Sequence, residues 1–326
     1  MSSRPGIAEP VEDASRGFIP IAVDTLLPSA IYDFDLFLKH SSAGKLTLYR
    51  RRNYPLVQSD LDRLREQGVH TLHVLYDDRD NYAGYLNRLL VDGQQLTPDQ
   101  KYVILKSAAR SLLSDSFGGR SLESYLHTVD HLSQQMVVSI CNDDLLLREI
   151  FFLMAHDYYS YTHVTNVATY CLALAREWGV SDEQVLVQIV GGALLHDLGK
   201  RHLPPGLLNK ADKLNDREMQ MMRQHPQKGF EELCRHDDLN WGRLMMVYQH
   251  HERLDGKGYP VQIGGDEIHL WAKLCAVADV FDAITSARPY RKPMPLEAAL
   301  DFFERRAGMA FDKEFVRCLS SQMQPN

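Results

Sequence analysis

The chain has 326 residues, of which 44% are hydrophobic and 24% are charged. This composition is typical of a globular protein with a buried core, and it excludes collagen-like, disulfide-stapled and largely disordered classes. The 36 Lys and Arg against 43 Asp and Glu give a formal net charge of -7. That balance argues against broad attraction to a nucleic acid polymer or to an anionic membrane. Since single cores rarely grow past about 250 to 300 residues, we expect two domains.

The beginning of the chain carries no targeting signal that we recognise. Residues 1–17 are polar, contain Pro and Gly and show no hydrophobic period, which predicts a disordered leader. No stretch approaches the roughly 20 apolar residues that a bilayer span requires. The five cysteines are widely spaced, without a Cys-x-x-Cys pair, so neither a disulfide framework nor a thiolate zinc site is indicated. We therefore expect a cytoplasmic protein that does not enter a membrane.

The next segment, residues 18–113, predicts a small α/β domain with a trailing helix. Short or alternating apolar runs predict strands at residues 18–23, 46–49 and 71–74, and a helix is expected at residues 59–67. Ser59 is the expected N-cap of that helix, and Gly68 stands where a C-terminal glycine belongs. The segment contains no catalytic constellation, so we predict a regulatory or a dimerisation role. In the second case the protein would be a homodimer.

Strand signals almost vanish after residue 93, and helical periodicity takes over. Residues 114–121 predict a linker, and residues 122–326 an all-α domain. Within it, helices are expected at residues 122–156, 164–178, 182–196, 216–225, 239–250, 269–287 and 296–306. The predicted fold class is mainly α, with a small α/β domain in front.

Five imidazoles and two carboxylates stand at helix ends or inside apolar helices of this second domain. They are His163, His196, Asp197, His225, His250, His251 and Asp279. An unpaired buried carboxylate costs several kcal/mol, so Asp279 within LCAVADVFDAI requires a cation or hydrogen-bond donors nearby. A metal would provide this compensation, although histidines can also be satisfied structurally, and the pattern alone leaves both interpretations open.

The donor types narrow the choice of metal if one binds. Imidazole nitrogens and carboxylate oxygens without thiolates suit a first-row metal such as iron, manganese, cobalt or zinc. Seven ligands exceed one tetrahedral shell and suffice for two ions about 3.5 to 4 Å apart, an arrangement used for phosphoester cleavage.

Four motifs in this domain carry a family resemblance. HDLGK (His196 to Lys200) is followed by HPQKG, HHERLDGKGYP and AVADVFDAITSARPYR, which ends at Arg291. In order and spacing they resemble the HD-GYP domain, a branch of the HD phosphohydrolase superfamily, over roughly residues 151–315. The resemblance implies an α-helical metal-dependent phosphodiesterase that hydrolyses cyclic di-GMP to pGpG, GMP or both through a hydroxide bridging two metal ions.

The resemblance also assigns roles to individual residues. It makes the seven side chains above the metal ligands, with Asp197 bridging, and it places Lys200, Tyr259, Arg288 and Arg291 around the substrate phosphates. The positions of Lys200, Arg288 and Arg291 suit stabilisation of developing negative charge as well. Asp197 and Lys200 are thus the predicted catalytic residues, and iron or manganese the predicted metal.

One position departs from the family pattern and bears on the number of metals. Some members have a Glu four residues before the first histidine ligand, where it helps to hold a third ion, and this chain has Tyr159 there. We therefore predict two ions, and we do not expect Asp157 to be a ligand.

The resemblance further suggests that diguanylate cyclase domains dock on the GYP loop. Two alternatives stay open: hydrolysis of another cyclic dinucleotide, and a receptor or adaptor that binds the nucleotide with little catalysis.

Overall fold

The computed structural model describes residues 17–39, 46–92, 104, 121–142, 160–208, 210, 212–286 and 292–323. The chain divides into two compact units, Met1–Tyr125 and Leu126–Asn326. The division lies near the start of a long helix, Leu122–Asn142. The predicted leader and the predicted linker lie almost wholly outside the described residues, so the domain limits stay predictions.

The first unit contains an antiparallel sheet of four strands. These are β1 (Phe18–Ala22), β2 (Leu36–Lys39), β3 (Leu46–Arg50) and β4 (Thr71–Leu75), in the order β1-β4-β2-β3. Two helices accompany the sheet, α1 (Gln58–Glu66) and α2 (Arg79–Asp92). Buried tyrosines stabilise the unit: the Tyr82 and Thr25 hydroxyls lie 2.8 Å apart, and the Tyr32 ring packs edge-on against Tyr85.

The prediction of a small α/β domain is confirmed, with two corrections. Strand β2 was missed, because Leu36 and Phe37 are both buried across a register shift, which breaks the alternation that marks a strand. The N-cap of α1 is Val57 and not Ser59, because the Asp60 carboxylate accepts a hydrogen bond from the Val57 N–H and lets the helix begin earlier. Gly68 follows the helix with a positive φ, as expected.

The second unit is built of helices. They are most of α3 (Leu122–Asn142), which begins in the first unit, and then α4 (Ser160–Glu177), α5 (Glu183–Leu195), α6 (Pro205–Leu208), α7 (Asp216–Met222), α8 (His225–Leu233), α9 (Trp241–Gln249), α10 (Leu270–Thr285), α11 (Leu296–Glu304) and α12 (Lys313–Met323). Helix α4 packs against α5 and α10, and α9 packs against α5, α8 and α10. The predicted all-α architecture is confirmed. No helix among the described residues combines the length and apolar character needed to span a bilayer.

Several helical assignments differ from the sequence prediction. A single helix was expected over residues 216–225, whereas α7 ends at Met222 and α8 begins at His225, with Pro226 in its first turn. Pro suits a first helical turn because it has no N–H that would need an acceptor there. The last helix, α12, was not predicted. The break before α8 matters for the site, because it places His225 at a helix start.

The turn after α5 is held against α8 by a close backbone approach. Gly199 lies in the 3-10 turn Leu198–His202, and a Cβ added there would overlap the His225 carbonyl oxygen and lie 2.6 Å from the Gly229 nitrogen. Both neighbours are backbone atoms, so no side-chain rotation could relieve the overlap. Glycine at this position therefore allows the turn and α8 to meet.

We predict that Gly199→Ala lowers the free energy of unfolding by about 1 to 3 kcal/mol, the usual cost of overpacking. Gly206→Ala is the matched control, because nothing lies within 4 Å of its added Cβ, and it should change stability by less than about 0.5 kcal/mol. Urea unfolding of both variants measures the difference. Equal midpoints would show that the turn and α8 separate at little cost.

Candidate metal centre

All seven predicted ligands lie in the described part of the chain, at the ends of packed helices or inside one. His163 lies in the first turn of α4, and His196 and Asp197 directly follow α5. His225 opens α8, His250 and His251 follow α9, and Asp279 is in the middle of α10. Because these helices pack on one another, residues as far apart in sequence as His163 and Asp279 point to one place.

The Asp197 carboxylate lies among three imidazoles. Its Oδ2 is 3.4 Å from His196 Nε2 and 3.7 Å from His163 Nε2, and its Oδ1 is 3.3 Å from His225 Nε2. The side chain is nearly buried. One carboxylate therefore contacts imidazoles from three different helical ends.

The Asp279 carboxylate connects the remaining residues in the same way. Its Oδ1 is 3.1 Å from His163 Nε2 and its Oδ2 is 3.6 Å from His251 Nδ1. Two groups of ligand atoms result, each with all atoms within 4.8 Å of one another: His163, His196 and Asp197, and His225, His250 and His251. Asp197 and Asp279 each reach histidines of both groups, so each carboxylate lies between the two groups of ligand atoms.

Backbone carbonyl groups fix the orientation of three imidazoles. His196 Nδ1 lies 2.6 Å from the Ala193 oxygen, His225 Nδ1 lies 2.8 Å from the Met222 oxygen, and His250 Nδ1 lies 3.0 Å from the Val247 oxygen. A carbonyl oxygen only accepts, so each Nδ1 carries the proton and donates it. In the neutral ring, each Nε2 is then an unprotonated acceptor that faces the centre.

These acceptor nitrogens have no donor of their own. His196 Nε2 is buried without a hydrogen-bond partner among the described residues, and the Nε2 atoms of His225 and His250 face each other at 3.2 Å. Two unprotonated nitrogens cannot satisfy each other, and leaving buried acceptors unpaired is costly. A cation coordinated by these atoms would remove the conflict, so the residues fit a metal site of nitrogen and oxygen donors.

The imidazoles of the second group are neutral at neutral pH. Burial lowers the pKa of His225 to about 3 and that of His251 to about 4, and it holds the pKa of His250 well below its usual value. Metal binding requires neutral imidazole, so protons compete little at these three residues.

The carboxylates and His163 behave differently. Burial alone would raise the pKa of Asp197 and Asp279. It is outweighed by Lys200 and the imidazoles at Asp197 and by the imidazoles at Asp279, so both pKa values lie below normal and both groups are ionised. Burial would lower the pKa of His163, yet hydrogen bonds with Asp279 and Asp282 raise it to about 10. A proton on His163 therefore supplies part of the positive charge that the carboxylates require.

The predicted substrate-binding residues are only partly within the described chain. Lys200 lies one turn after Asp197, and its Nζ donates a hydrogen bond to Asp197 Oδ2 at 2.5 Å. The Tyr259 ring stacks near the histidines, with its centroid 4.5 Å from that of His251. Arg288, Arg291, Tyr159 and Asp157 lie outside the described residues, so their predicted roles carry no structural account.

The loop that carries Tyr259 is built around a buried acid. Glu252, 3% exposed, accepts hydrogen bonds from the backbone N–H groups of Val261 and Gln262. Gly256 has φ +68, a left-handed backbone conformation that favours glycine. Gly258 has no positive φ, but a Cβ added there would lie 2.5 Å from the Arg253 nitrogen.

Sequence reasoning missed one residue that orients a predicted ligand. His163 Nδ1 lies 2.6 Å from Asp282 Oδ2, and Asp282 Oδ1 accepts from Asn166 Nδ2 at 2.7 Å and from Ser286 Oγ at 2.9 Å. A carboxylate behind a ligand histidine fixes the ring and raises its basicity. The sequence contains a signal that could have identified this residue, because Asp282 is a second acid in the apolar run, one turn after Asp279.

We predict that Asp282→Asn weakens metal binding about 10- to 100-fold, because the amide cannot hold His163 with the charge of the carboxylate. The exposed Asp266→Asn on the same chain is the matched control and should leave the affinity unchanged. Competition with a chelating dye measures the affinity of each variant. Equal affinities for the two variants would show that Asp282 does not position the histidine.

Comparison with known proteins adds a family to this geometry. Residues 146–315, more than half of the chain, match the HD domain family. A cyclic di-GMP phosphodiesterase of Pseudomonas aeruginosa is 36% identical over 187 residues, 57% of this chain and 44% of that protein. The cyclic di-GMP phosphodiesterase response regulator RpfG of Xanthomonas campestris pv. campestris is 41% identical over 148 residues, 45% of this chain and 39% of that protein.

A relative named for a different substrate also matches. The 3'3'-cGAMP-specific phosphodiesterase 3 of Vibrio cholerae is 34% identical over 165 residues, 51% of this chain and 35% of that protein. In these three alignments the chain spans less than half the length of its relative.

A solved structure agrees in fold over nearly the whole chain. The HDG"Y"P protein Bd1817 of Bdellovibrio bacteriovorus superposes with a TM-score of 0.68, covering 94% of this chain and 99% of that chain at 21% identity. At that identity the likeness shows a shared fold. The predicted membership of the HD superfamily is confirmed by the family match, and the chain belongs to the HD domain family.

Proposed function

We propose that the protein is a metal-dependent phosphodiesterase that hydrolyses cyclic di-GMP to pGpG, GMP or both. The observation that carries the proposal is the single cluster of five imidazoles and two carboxylates, in which Asp197 and Asp279 each contact histidines of both ligand groups. Cleavage of a phosphodiester requires stabilisation of the negative charge that develops on the phosphate, and two neighbouring cations can provide it. Carboxylates shared between two groups of ligands are suited to holding two cations close together.

The cluster would hold two divalent ions, with iron or manganese the best match to its nitrogen and oxygen donors. When bound, such ions lower the pKa of a coordinated water and stabilise negative charge on a phosphate. His163, His196 and Asp197 form one set of ligands, and His225, His250 and His251 form the other. Asp279 completes both sets from α10.

Two residues of the described chain would act on the substrate itself. Lys200 extends beyond Asp197, with 32% of its side chain exposed, so its ammonium can exchange the carboxylate for a phosphate oxygen. Burial and the nearby carboxylates raise the pKa of Tyr259, so its hydroxyl stays protonated. A neutral phenol can donate a hydrogen bond to a phosphate without adding negative charge. Arg288 and Arg291 would add positive charge, as their sequence positions predict.

The second candidate substrate is a cyclic dinucleotide that contains adenine. It is favoured by the similarity to relatives named 3'3'-cGAMP-specific phosphodiesterases, at identities close to those of the cyclic di-GMP enzymes. The metal cluster acts on the phosphodiester, which both substrates share, so base preference depends on the walls around it.

The GYP loop remains the proposed docking surface for diguanylate cyclase domains.

We predict that metal-loaded protein converts cyclic di-GMP to linear products and that His196→Ala with Asp197→Ala abolishes the turnover, by at least about 10³-fold. The matched control replaces a second His-Asp pair of the chain, His236 and Asp237, which lies outside the cluster. Incubation under reducing conditions with iron or with manganese, followed by chromatography, separates substrate from products.

A second readout tests metal binding without turnover. Added iron or manganese should raise the unfolding temperature of the unaltered protein and of the His236 and Asp237 double variant, and not that of the His196 and Asp197 variant. Tight nucleotide binding without products at full metal occupancy would contradict the proposal and favour a receptor. Stabilisation by metal in all three proteins would place the metal elsewhere.

A further inference from the structure

Arg223 lies beside the candidate metal centre, and neither the motifs nor the cluster includes it. It caps the C-terminus of α7, two residues before His225, where its backbone N–H donates to the Met219 oxygen. Its guanidinium carbon lies 5.5 Å from the centroid of the Tyr259 ring. That ring in turn lies 4.5 Å from His251 and 6.4 Å from His225. Arg223 is therefore separated from two predicted ligands by one aromatic ring.

The charge of Arg223 is not matched by an acid within the described residues. Lys200 donates to Asp197 and Arg253 forms a bidentate pair with Asp255, whereas no carboxylate of the described chain lies within 4.0 Å of Arg223. Its side chain is exposed, so its guanidinium N–H groups can reach a ligand from solvent. A stack on an aromatic ring leaves the edge of the guanidinium available for hydrogen bonds.

The proposed substrate has a second anion that the metal centre leaves unmatched. A cyclic dinucleotide carries two phosphodiesters in one ring, and only one of them is cleaved in a given step. The other keeps its negative charge during that step, and a positively charged side chain at the rim of the site would stabilise it. A planar guanidinium contacts two phosphate oxygens at once, which suits this task better than a flexible ammonium.

We infer that Arg223, held over Tyr259, is a substrate-binding residue that contacts the phosphate not undergoing cleavage. The inference rests on the proposed function, because it takes a cyclic dinucleotide as the substrate. Arg223 binds this phosphate equally in the ground state and the transition state, so its removal should raise KM and leave kcat nearly unchanged.

The test compares Arg223→Ala with Arg217→Ala, which removes the same charge from an exposed position on the same helix. With cyclic di-GMP, Arg223→Ala should raise KM about 10-fold while kcat stays within about twofold. Arg223→Lys should fall between Arg223→Ala and the unaltered protein, because it keeps the charge and loses the bidentate geometry. Arg217→Ala should match the unaltered protein.

Two further measurements separate the phosphate contact from other roles. Arg223→Ala should raise KM by the same factor for cyclic di-GMP and for 3'3'-cGAMP, since the two share the phosphodiester ring and differ in one base. A loss confined to one of them would overturn the phosphate contact and indicate recognition of a base. The unfolding temperature should stay unchanged, and a fall that accompanies the rise in KM would indicate a packing role instead.

The outcomes also distinguish failure of this inference from failure of the proposed function. Hydrolysis of bis(p-nitrophenyl) phosphate by the unaltered protein tests cleavage of a phosphodiester that has a single phosphate. Turnover of cyclic di-GMP with equal KM values for Arg223→Ala and Arg217→Ala overturns the role of Arg223 alone. No turnover of either cyclic dinucleotide by the metal-loaded protein overturns the proposed function, and this inference with it.

Discussion

The arrangement of the candidate metal centre follows from one constraint: the negative charges of two ionised carboxylates inside a helical core must be compensated. Asp197 and Asp279 are nearly buried, and a charge in such a place is tolerated only with opposite charge and hydrogen bonds around it. Lys200 and His163 provide part of this compensation from the chain itself. The inward-facing Nε2 atoms of His196, His225 and His250 cannot donate a hydrogen bond to these carboxylates. Each neutral ring has its proton on Nδ1, which donates to a backbone carbonyl on the other side of the ring. That imbalance is the physical reason to expect a cation here.

The helices serve mainly to bring these groups to one point. The predicted histidine ligands are at or next to helix ends. In His196, His225 and His250, Nδ1 contacts a backbone carbonyl of the preceding residues, whereas His251 Nδ1 faces Asp279. His163 uses Asp282 for the same purpose, and Asp282 in turn is held by Asn166 and Ser286. The support of each ring thus comes from neighbouring residues of the second unit, so disturbance of helix packing would reach the ligands directly. The close contact of Gly199 with α8 is one example, because it joins the turn after α5 to the helix that begins at His225.

Much of the fold and the set of clustered residues could be predicted from the sequence. The helical periods and the short N-terminal strands were visible, and the polar residues at helix ends stood out against apolar surroundings. The spanning role of Asp279 could not be predicted, since it depends on where α10 lies relative to α4 and α9. Strand β2 was hidden because two adjacent residues, Leu36 and Phe37, are buried together. Arg223 gave no sequence signal, because only folding brings it over an aromatic ring 36 positions away.

The loop around Tyr259 has a consequence for ligand affinity. Glu252 holds the far end of the loop through the N–H groups of Val261 and Gln262, and the Tyr259 N–H donates to the His251 oxygen at 3.2 Å. The loop is thereby fixed to residues adjoining the histidine pair before any ligand binds. Its conformational entropy is lost when the chain folds, so an incoming ligand meets a preorganised rim and spends none of its binding free energy on ordering it.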